Sequence, residues 1–552
     1  MKPRLLSSLA ATALSCGLVG ASAARPATAP AEVESRIELK EGWFYIDGQK
    51  TLVNALGYES GARPGQDPKR PHAPNLPEIQ DDLEIIKAAG YNAVRTWKEI
   101  PEAELRLVQK SGLKLVFGLW LPPDEDFSDP KVVEKDLALV REVLAYSSKY
   151  DCIITYLIMN EPMPEHMRRV GAQATRDLWT KAVELIHRLH PGVPVAMSGN
   201  AAITEWVDQN VFDVYARNAY DYNDGVNYTS GLANSMRDLS DSMRQGKPSM
   251  LTEYGMSVSR SGGGMYGANT LQEQANALVK DYRNILDAGV TAMCPFYYAD
   301  GWWKGGEPAK HNDTAEEWFG FWGYKDLEDT VGHPRPVWHA LKQYNEALVT
   351  SPRNQQFYLN EVPVEVFAQP DVKRLKVVYQ DAVILEAEPD ARGHFQGKVS
   401  FAGEELKDRE LVLEAWDAQG RLAKLESIIV LTGRDPIQWP TLELRTPVTD
   451  LNVSRQVPVE IAVKNDGAFS LGEEVRVAFS PHLGWERGEA HAKKLDPRAK
   501  NQTIADLYQA PTDSPILAIY AGADIRYGKF VKTVCARRFI YPGTWADPLR
   551  VK

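Results

Sequence analysis

Two glutamates in this chain stand where a glutamate is costly. "TYLIMNEP" (155–162) reads as the interior of a buried strand through Met159, then ends on Asn160 and Glu161 and is closed by Pro162. "PSMLTEYG" (248–255) repeats the pattern, with Glu253 at the end of an apolar run. A carboxylate loses hydration at such a position, so it persists where a cleft gives it a task or a partner. Two carboxylates brought together can divide labour. One stays protonated and acts as an acid, and the other stays ionised and acts as a nucleophile, provided their surroundings split their pKa values. The bland alternative is a pair of structural, ion-paired glutamates.

The chemistry therefore depends on elements that bring residues 161 and 253 to one place. From residue 51 to about 298, apolar, β-branched runs alternate with amphipathic stretches. The strand candidates are 51–57, 91–97, 113–121, 152–159, 193–199, 212–220, 248–255 and 290–298. Helical periodicity falls between them, as in "LPEIQDDLEIIKAAG", "KVVEKDLALVREVLAYSS", "TRDLWTKAVELIHRLH" and "TLQEQANALVKDYRNILDAG", several with Gly or Pro stops. Eight such units over about 300 residues predict a (β/α)₈ barrel domain spanning 36–350, which opens with a hairpin that turns at Asp47-Gly48. An open doubly wound sheet is the rival, but no phosphate-binding glycine fingerprint follows the first strand. After Tyr344 the pattern changes to period-two alternation with turn signals, which predicts two β-sandwich modules, 354–440 and 441–552.

In such barrels the working groups sit at the C-terminal ends of the strands. The first strand ends at Tyr58 and Glu59, the second at Arg95-Thr96-Trp97, the third at Trp120, and the fourth at Asn160 and Glu161. The sixth ends at Asn218 and Tyr220, the seventh at Glu253, and the eighth leads into Asp300, Trp302 and Trp303. Glu161 and Glu253 then face each other across the barrel mouth. A pair about 5–5.5 Å apart suits hydrolysis of a glycosidic bond with retention of configuration. Arg95 by charge and Tyr220 by a hydrogen bond would hold Glu253 ionised, whereas no cation stands at the end of the Glu161 strand.

At these residues the chain resembles clan A of the glycoside hydrolases, and within it the family 2 and family 5 barrels. The resemblance is carried by "NEP" at 160–162, "TEYG" at 252–255, Arg95 in "NAVRTW" and Tyr220 in "RNAY". "KDLEDTVGHPRPVWHALKQY" also resembles the end of family 2 barrels. It implies Glu161 as acid/base and Glu253 as nucleophile, with Asn160 on the sugar 2-hydroxyl and Arg95 and Tyr220 holding the nucleophile. Asn218, Trp120, Tyr58, Glu59, Asp300, Trp302 and Trp303 complete the set expected to contact substrate. "DGWWKGG" (300–306) reads as a loop on the cleft wall, and each of its tryptophans has a packing alternative.

Composition is ordinary for a soluble globular protein. The 552 residues carry a formal charge of −11 and no long basic run, which argues against nucleic acid as a partner. Fourteen tryptophans and 23 tyrosines supply flat, half-polar rings, most of them for the core. Residues 1–23 read as a secretory signal peptide: Lys2 and Arg4, an apolar run from Leu5 to Val19, then "ASA". Cys16 follows a poor lipoprotein box, with Ala13 where Leu is usual, so export to the periplasm or medium without a lipid anchor is expected. Cys152, Cys294 and Cys535 lie far apart and predict no structural disulfide. No stretch of the mature chain reads as a membrane span. His311, Asp313 and Glu316 match no metal-ligand spacing, so neither metal nor cofactor is expected. "SRSGGGMYGANT" (259–270) lacks the Lys-Ser/Thr ending of a phosphate loop and reads as a flap beside Glu253.

The resulting expectation is an exported retaining β-glycoside hydrolase acting on a poly- or oligosaccharide, with β-glucan as first choice. A transglycosylase using the same covalent intermediate and a non-catalytic carbohydrate-binding barrel are the alternatives. Long segments after the first strand (58–77) and after the eighth (298–335) would wall one end of the cleft. Oligomeric state is not legible.

Overall fold

The computed structural model describes residues 37–70, 74–162, 164–199, 209–220, 246–481, 489–514 and 516–540. The expected signal peptide and Cys16 lie outside them. The described chain begins with a three-stranded antiparallel sheet, Ile37–Lys40, Trp43–Ile46 and Gln49–Thr51. Its second turn falls at Asp47-Gly48, where both residues have positive φ (53° and 73°), the backbone a two-residue hairpin requires.

Eight parallel strands follow: β1 (Val53–Gly57), β2 (Ala93–Arg95), β3 (Lys114–Leu119), β4 (Ile153–Asn160), β5 (Val195–Ser198), β6 (Tyr215–Asn218), β7 (Ser249–Glu253) and β8 (Ala292–Met293). Seven lie inside the stretches expected from sequence, and β4 runs one residue past its expected end, to Asn160. The hydrogen-bonded order is β5-β4-β3-β2-β1-β8-β7-β6. A parallel bridge between Gly199 and Arg217, with Asn218 N donating to Gly199 O at 2.8 Å, joins β5 to β6 and closes the barrel. Closure removes both sheet edges.

Helices run between the strands. Leu76–Ala88 opens on Pro77, and Glu102–Ser111 ends on Gly112 in the left-handed region. Pro130–Ser147 is capped by Asp129, whose side chain accepts from Lys131 N. Ala172–Leu189 turns its apolar side inward, and Leu271–Asp287 starts with a full capping box from Thr270 and Glu273. Strands that are buried on both faces and helices buried on one stripe form a single continuous core.

Beyond the closing helix Pro336–Tyr344 the chain is antiparallel β. A three-stranded and a five-stranded sheet between Ala347 and Gly433 enclose one core, and a three-stranded and a four-stranded sheet between Thr441 and Ile540 enclose another. Ala347–Ser351 pairs with Glu361–Ala368, so the first of these layers begins before residue 350. Polar groups tie these sheets to the barrel: buried Lys424 donates to Tyr344 O (3.2 Å), and Glu426 accepts from Tyr344 Oη (2.5 Å) and Arg283 Nη1 (3.2 Å).

Candidate active site

Both glutamate-bearing strands carry an irregularity immediately before the carboxylate. Against β5, the register of β4 skips Met159, so that Ile158 pairs with Met197 and Asn160 with Ser198. Against β6, the register of β7 skips Thr252, so that Leu251 pairs with Arg217 and Glu253 with Asn218. Such bulges re-aim the side chains that follow them and recur beside active sites. Met159 and Glu161 also have positive φ, 63° and 47°, a conformation that costs a non-glycine residue of order 1–3 kcal/mol. Glu161 N is held there by Ser198 O at 2.7 Å. The barrel thus sustains local strain at the position where Glu161 leaves its strand.

Glu253 is buried, and its two oxygens accept three hydrogen bonds. Arg95 Nη1 and Trp97 Nε1 donate to Oε1 at 2.8 and 2.7 Å, and Tyr220 Oη donates to Oε2 at 2.9 Å. A carboxylate with a guanidinium and two further donors is in a setting made for negative charge. Arg95 stacks on Trp97, 4.0 Å from the ring centroid, and its Nη2 donates to Asn160 Oδ1 at 3.0 Å. Asn218 Nδ2 approaches the same oxygen at 3.4 Å, while Asn218 Oδ1 accepts from Ser198 Oγ (2.6 Å) and Thr252 Oγ1 (2.7 Å). This network draws on β2, β4, β5, β6 and β7 and orients the Asn160 amide toward the mouth.

Glu161 is in the opposite electrostatic position. Burial raises its pKa, the neighbouring charge of Glu253 raises it further, and a hydrogen bond from Asn218 offsets only part of this, leaving it at about 8. Glu161 is therefore protonated near neutral pH. The sign for stability follows. Between the ordinary glutamate value and about 8, the unfolded chain releases a proton that the folded chain keeps, so stability falls as pH rises through that window. Glu161→Gln, neutral at every pH, is expected to raise the melting temperature at pH 7 by roughly 1–3 °C and to flatten its pH dependence between 5 and 8, as read by thermal melts. An unchanged slope would mean that Glu161 ionises normally.

The structure thus brings Glu161, Glu253, Asn160, Arg95, Tyr220 and Asn218 together. Trp97 was legible only as a strand end. Its role had a sequence signal, because period two places it on the same face as Arg95. Several other expected contacts are placed elsewhere. Tyr58 is buried, and its hydroxyl donates to Asp82 at 3.0 Å beneath the mouth. Asp300 is fully buried, bound by both Arg335 Nη atoms and by Gly320 N (3.1 Å), because the loop after β8 folds back over it. Trp302 is 4% exposed and stacks on His311, which stacks in turn on Trp318. Trp302 and Asp300 are thus enclosed within this loop, and burial holds His311 neutral, with its pKa lowered to about 4. Trp120 is 40% exposed, and Glu59 and Trp303 lie at the β1 and β8 side of the mouth. The stretch after β7 is tied to the β8 loop: Arg260 N donates to Asp313 Oδ1 (2.6 Å) and Ser257 Oγ to Ala315 O (2.8 Å). Among the described residues no group of His, Cys, Asp and Glu is arranged to hold a metal ion, and no helix is long and apolar enough to cross a membrane.

The role of Asp300 can be checked directly. Asp300→Ala strands a buried guanidinium and is expected to cost about 3–5 kcal/mol of stability, measured by denaturation, with little change in KM. A raised KM with unchanged melting would make Asp300 a substrate ligand instead.

Fold and site together define a closed parallel barrel with an electrostatically divided carboxylate pair at the ends of β4 and β7. No family model matches the sequence, and no curated protein matches it. Solved structures similar to the chain include a Parabacteroides merdae β-glucuronidase with glycerol in its active site (10% identity, TM-score 0.45, covering 91% of this chain and 63% of that one). A Bacteroides uniformis β-glucuronidase is similar at 12% identity and TM-score 0.46, covering 92% of this chain and 66% of that one. A putative β-galactosidase from Bacteroides fragilis is similar at 14% identity and TM-score 0.45, covering 72% and 57%. The chain therefore spans less than two thirds of the length of the first of these. Likeness of this degree says nothing of what the site here binds or does.

Proposed function

We propose that this protein is an exported retaining β-glycoside hydrolase that cleaves a β-linked poly- or oligosaccharide, β-glucan first among the candidates. The observation that carries the reading is the unequal setting of two carboxylates at the barrel mouth: Glu253 is bonded by Arg95, Trp97 and Tyr220, whereas burial and the charge of Glu253 raise the pKa of Glu161. In the first step Glu253 attacks the anomeric carbon while the Glu161 carboxyl gives its proton to the departing glycosidic oxygen. In the second, the Glu161 carboxylate takes a proton from water, which attacks the same carbon and releases Glu253. Asn160, oriented by Arg95, donates to the 2-hydroxyl as charge develops on the ring. Export is read from residues 1–23 alone.

The test is a screen against defined β-glucans, β-galactans and β-mannans with chromatographic product identification. Proton NMR should then find the β-anomer as the first-formed sugar, before mutarotation. An α-anomer would place a water between the glutamates and overturn retention. Longer products preceding the monosaccharide would identify transfer to sugar in place of hydrolysis, and binding without turnover would remove the enzyme reading.

A further inference from the structure

The bulge in β7 does more than re-aim Glu253. Regular alternation would send Thr252 to the opposite face of the strand from Glu253. As the skipped residue, Thr252 instead turns its hydroxyl toward Asn218, the partner of Glu253 on β6. Thr252 Oγ1 lies 2.7 Å from Asn218 Oδ1 and 2.8 Å from Ser198 Oγ, and Ser198 Oγ lies 2.6 Å from the same Oδ1. Ser198 also accepts the Glu161 N–H at its carbonyl, at 2.7 Å. Both hydroxyl residues are fully buried and Asn218 is 4% exposed, so bulk water does not compete for these contacts.

The polarity of the network follows from its donors. Arg95 can only donate, so its Nη2 contact fixes Asn160 Oδ1 as an acceptor. The Asn218 atom that lies 3.4 Å from Asn160 Oδ1 is then the nitrogen. Turned over, Asn218 would set two carbonyl oxygens against each other with no proton between them. On the far side of the carboxamide, three contacts share two hydroxyl protons. Every way of placing those protons within the triangle leaves at least one donated to Asn218 Oδ1. Without the hydroxyls, Oδ1 would be a buried acceptor with no partner, and the amide would gain by turning that oxygen toward a carboxyl proton.

That carboxyl is Glu161, to which Asn218 donates a hydrogen bond. The other groups whose charges reach Glu161 are Glu253 and Glu316, which oppose its ionisation, and Arg95, which favours it. An N–H at this point serves the carboxylate. The carboxylate forms when the proton leaves for the glycosidic oxygen, and it must persist to take a proton from water. A carbonyl in the same place would accept the carboxyl proton and hold it back.

We infer that Thr252 and Ser198 are positioning residues for proton transfer at Glu161, their hydroxyls locking the Asn218 carboxamide so that it offers N–H and not C=O to that carboxyl. The inference rests on the hydrolase reading. Being fully buried, neither residue can touch substrate; each acts through Asn218.

The test uses the full chain, Thr252→Val, Ser198→Ala, their combination, and the restoring variant Thr252→Ser. On an aryl β-glycoside with a good leaving group, departure needs little protonation, so the second step, which needs Glu161 ionised, sets the rate. Each single variant should lower kcat about 5-fold and the combination about 30-fold. KM should fall alongside, which keeps kcat/KM within about twofold of the parent. On a β-linked oligosaccharide, the alkaline decline of activity should move up by about one pH unit. The pH-dependent fall in melting temperature that Glu161→Gln removes should move up with it, a readout that needs no substrate. Thr252→Ser keeps the hydroxyl and should match the parent. Parental pH profiles in the single variants, or a loss that Thr252→Ser shares with Thr252→Val, would overturn the inference and leave the hydrolase reading in place. A parent that turns over no β-glycan and no aryl β-glycoside would overturn both.

Discussion

Glu253→Ala is expected to lose activity on natural substrate by roughly 10⁴-fold or more, and Glu161→Ala by about 10²–10⁴-fold, for different reasons that azide separates. Without Glu161, an aryl glycoside with a good leaving group still forms the covalent intermediate, because its departure needs little protonation. Turnover then stalls because no base activates water. Azide needs no base, so it should restore turnover and yield the β-glycosyl azide. Without Glu253 there is no nucleophile, and azide seated in the vacated space attacks an activated β-substrate directly to give the α-azide. Opposite configurations, read by NMR, assign the two roles. The same configuration from both variants, or near-normal activity in either, would sink the assignment. In the parent enzyme, activity should decline as pH rises through about 8, where Glu161 gives up the proton it needs as an acid. That decline should vanish in Glu161→Ala on the good leaving group.

Arg95→Met carries the second largest expected effect. The side chain is 1% exposed and links Glu253 to Asn160, so its loss removes an ion pair and two orientations in one change. A buried carboxylate left without its cation destabilises a fold by about 3–5 kcal/mol, which chemical denaturation would register. The rate should fall by about 10²–10³-fold, because Glu253 keeps Trp97 and Tyr220 but loses its counter-charge and Asn160 loses its anchor. Arg95→Lys should recover part of the stability and little of the rate, since an ammonium cannot bridge two acceptors as a planar guanidinium does. Full activity in Arg95→Lys would show that charge alone is required there.

The barrel was legible in the sequence because its determinants are local. Eight apolar runs of strand length, separated by helix-period stretches with Pro at their starts and Gly near their ends, admit few other topologies. Glu161 and Glu253 were legible for the same reason, since a carboxylate closing a buried strand conflicts with its neighbours in sequence. Arg95, Asn160, Asn218 and Tyr220 followed once strand ends were counted.

What the sequence could not determine depends on contacts between distant residues. The register shifts at Met159 and Thr252 arise from pairing with β5 and β6, and no residue type there announces a bulge. Asp300 read as a cleft residue because it closes a strand and a loop rich in glycine follows it. The partner that buries it, Arg335, stands 35 residues away. Trp302 and Trp303 are adjacent and alike in composition, yet Trp302 stacks on His311 whereas Trp303 lies under the ammonium groups of Lys69 and Lys304. Most decisively, the inequality of the two glutamates is tertiary. Each ends an apolar strand, but only one receives the guanidinium of β2, the indole beyond it and the Tyr220 hydroxyl. The other is left to burial and to its neighbour's charge.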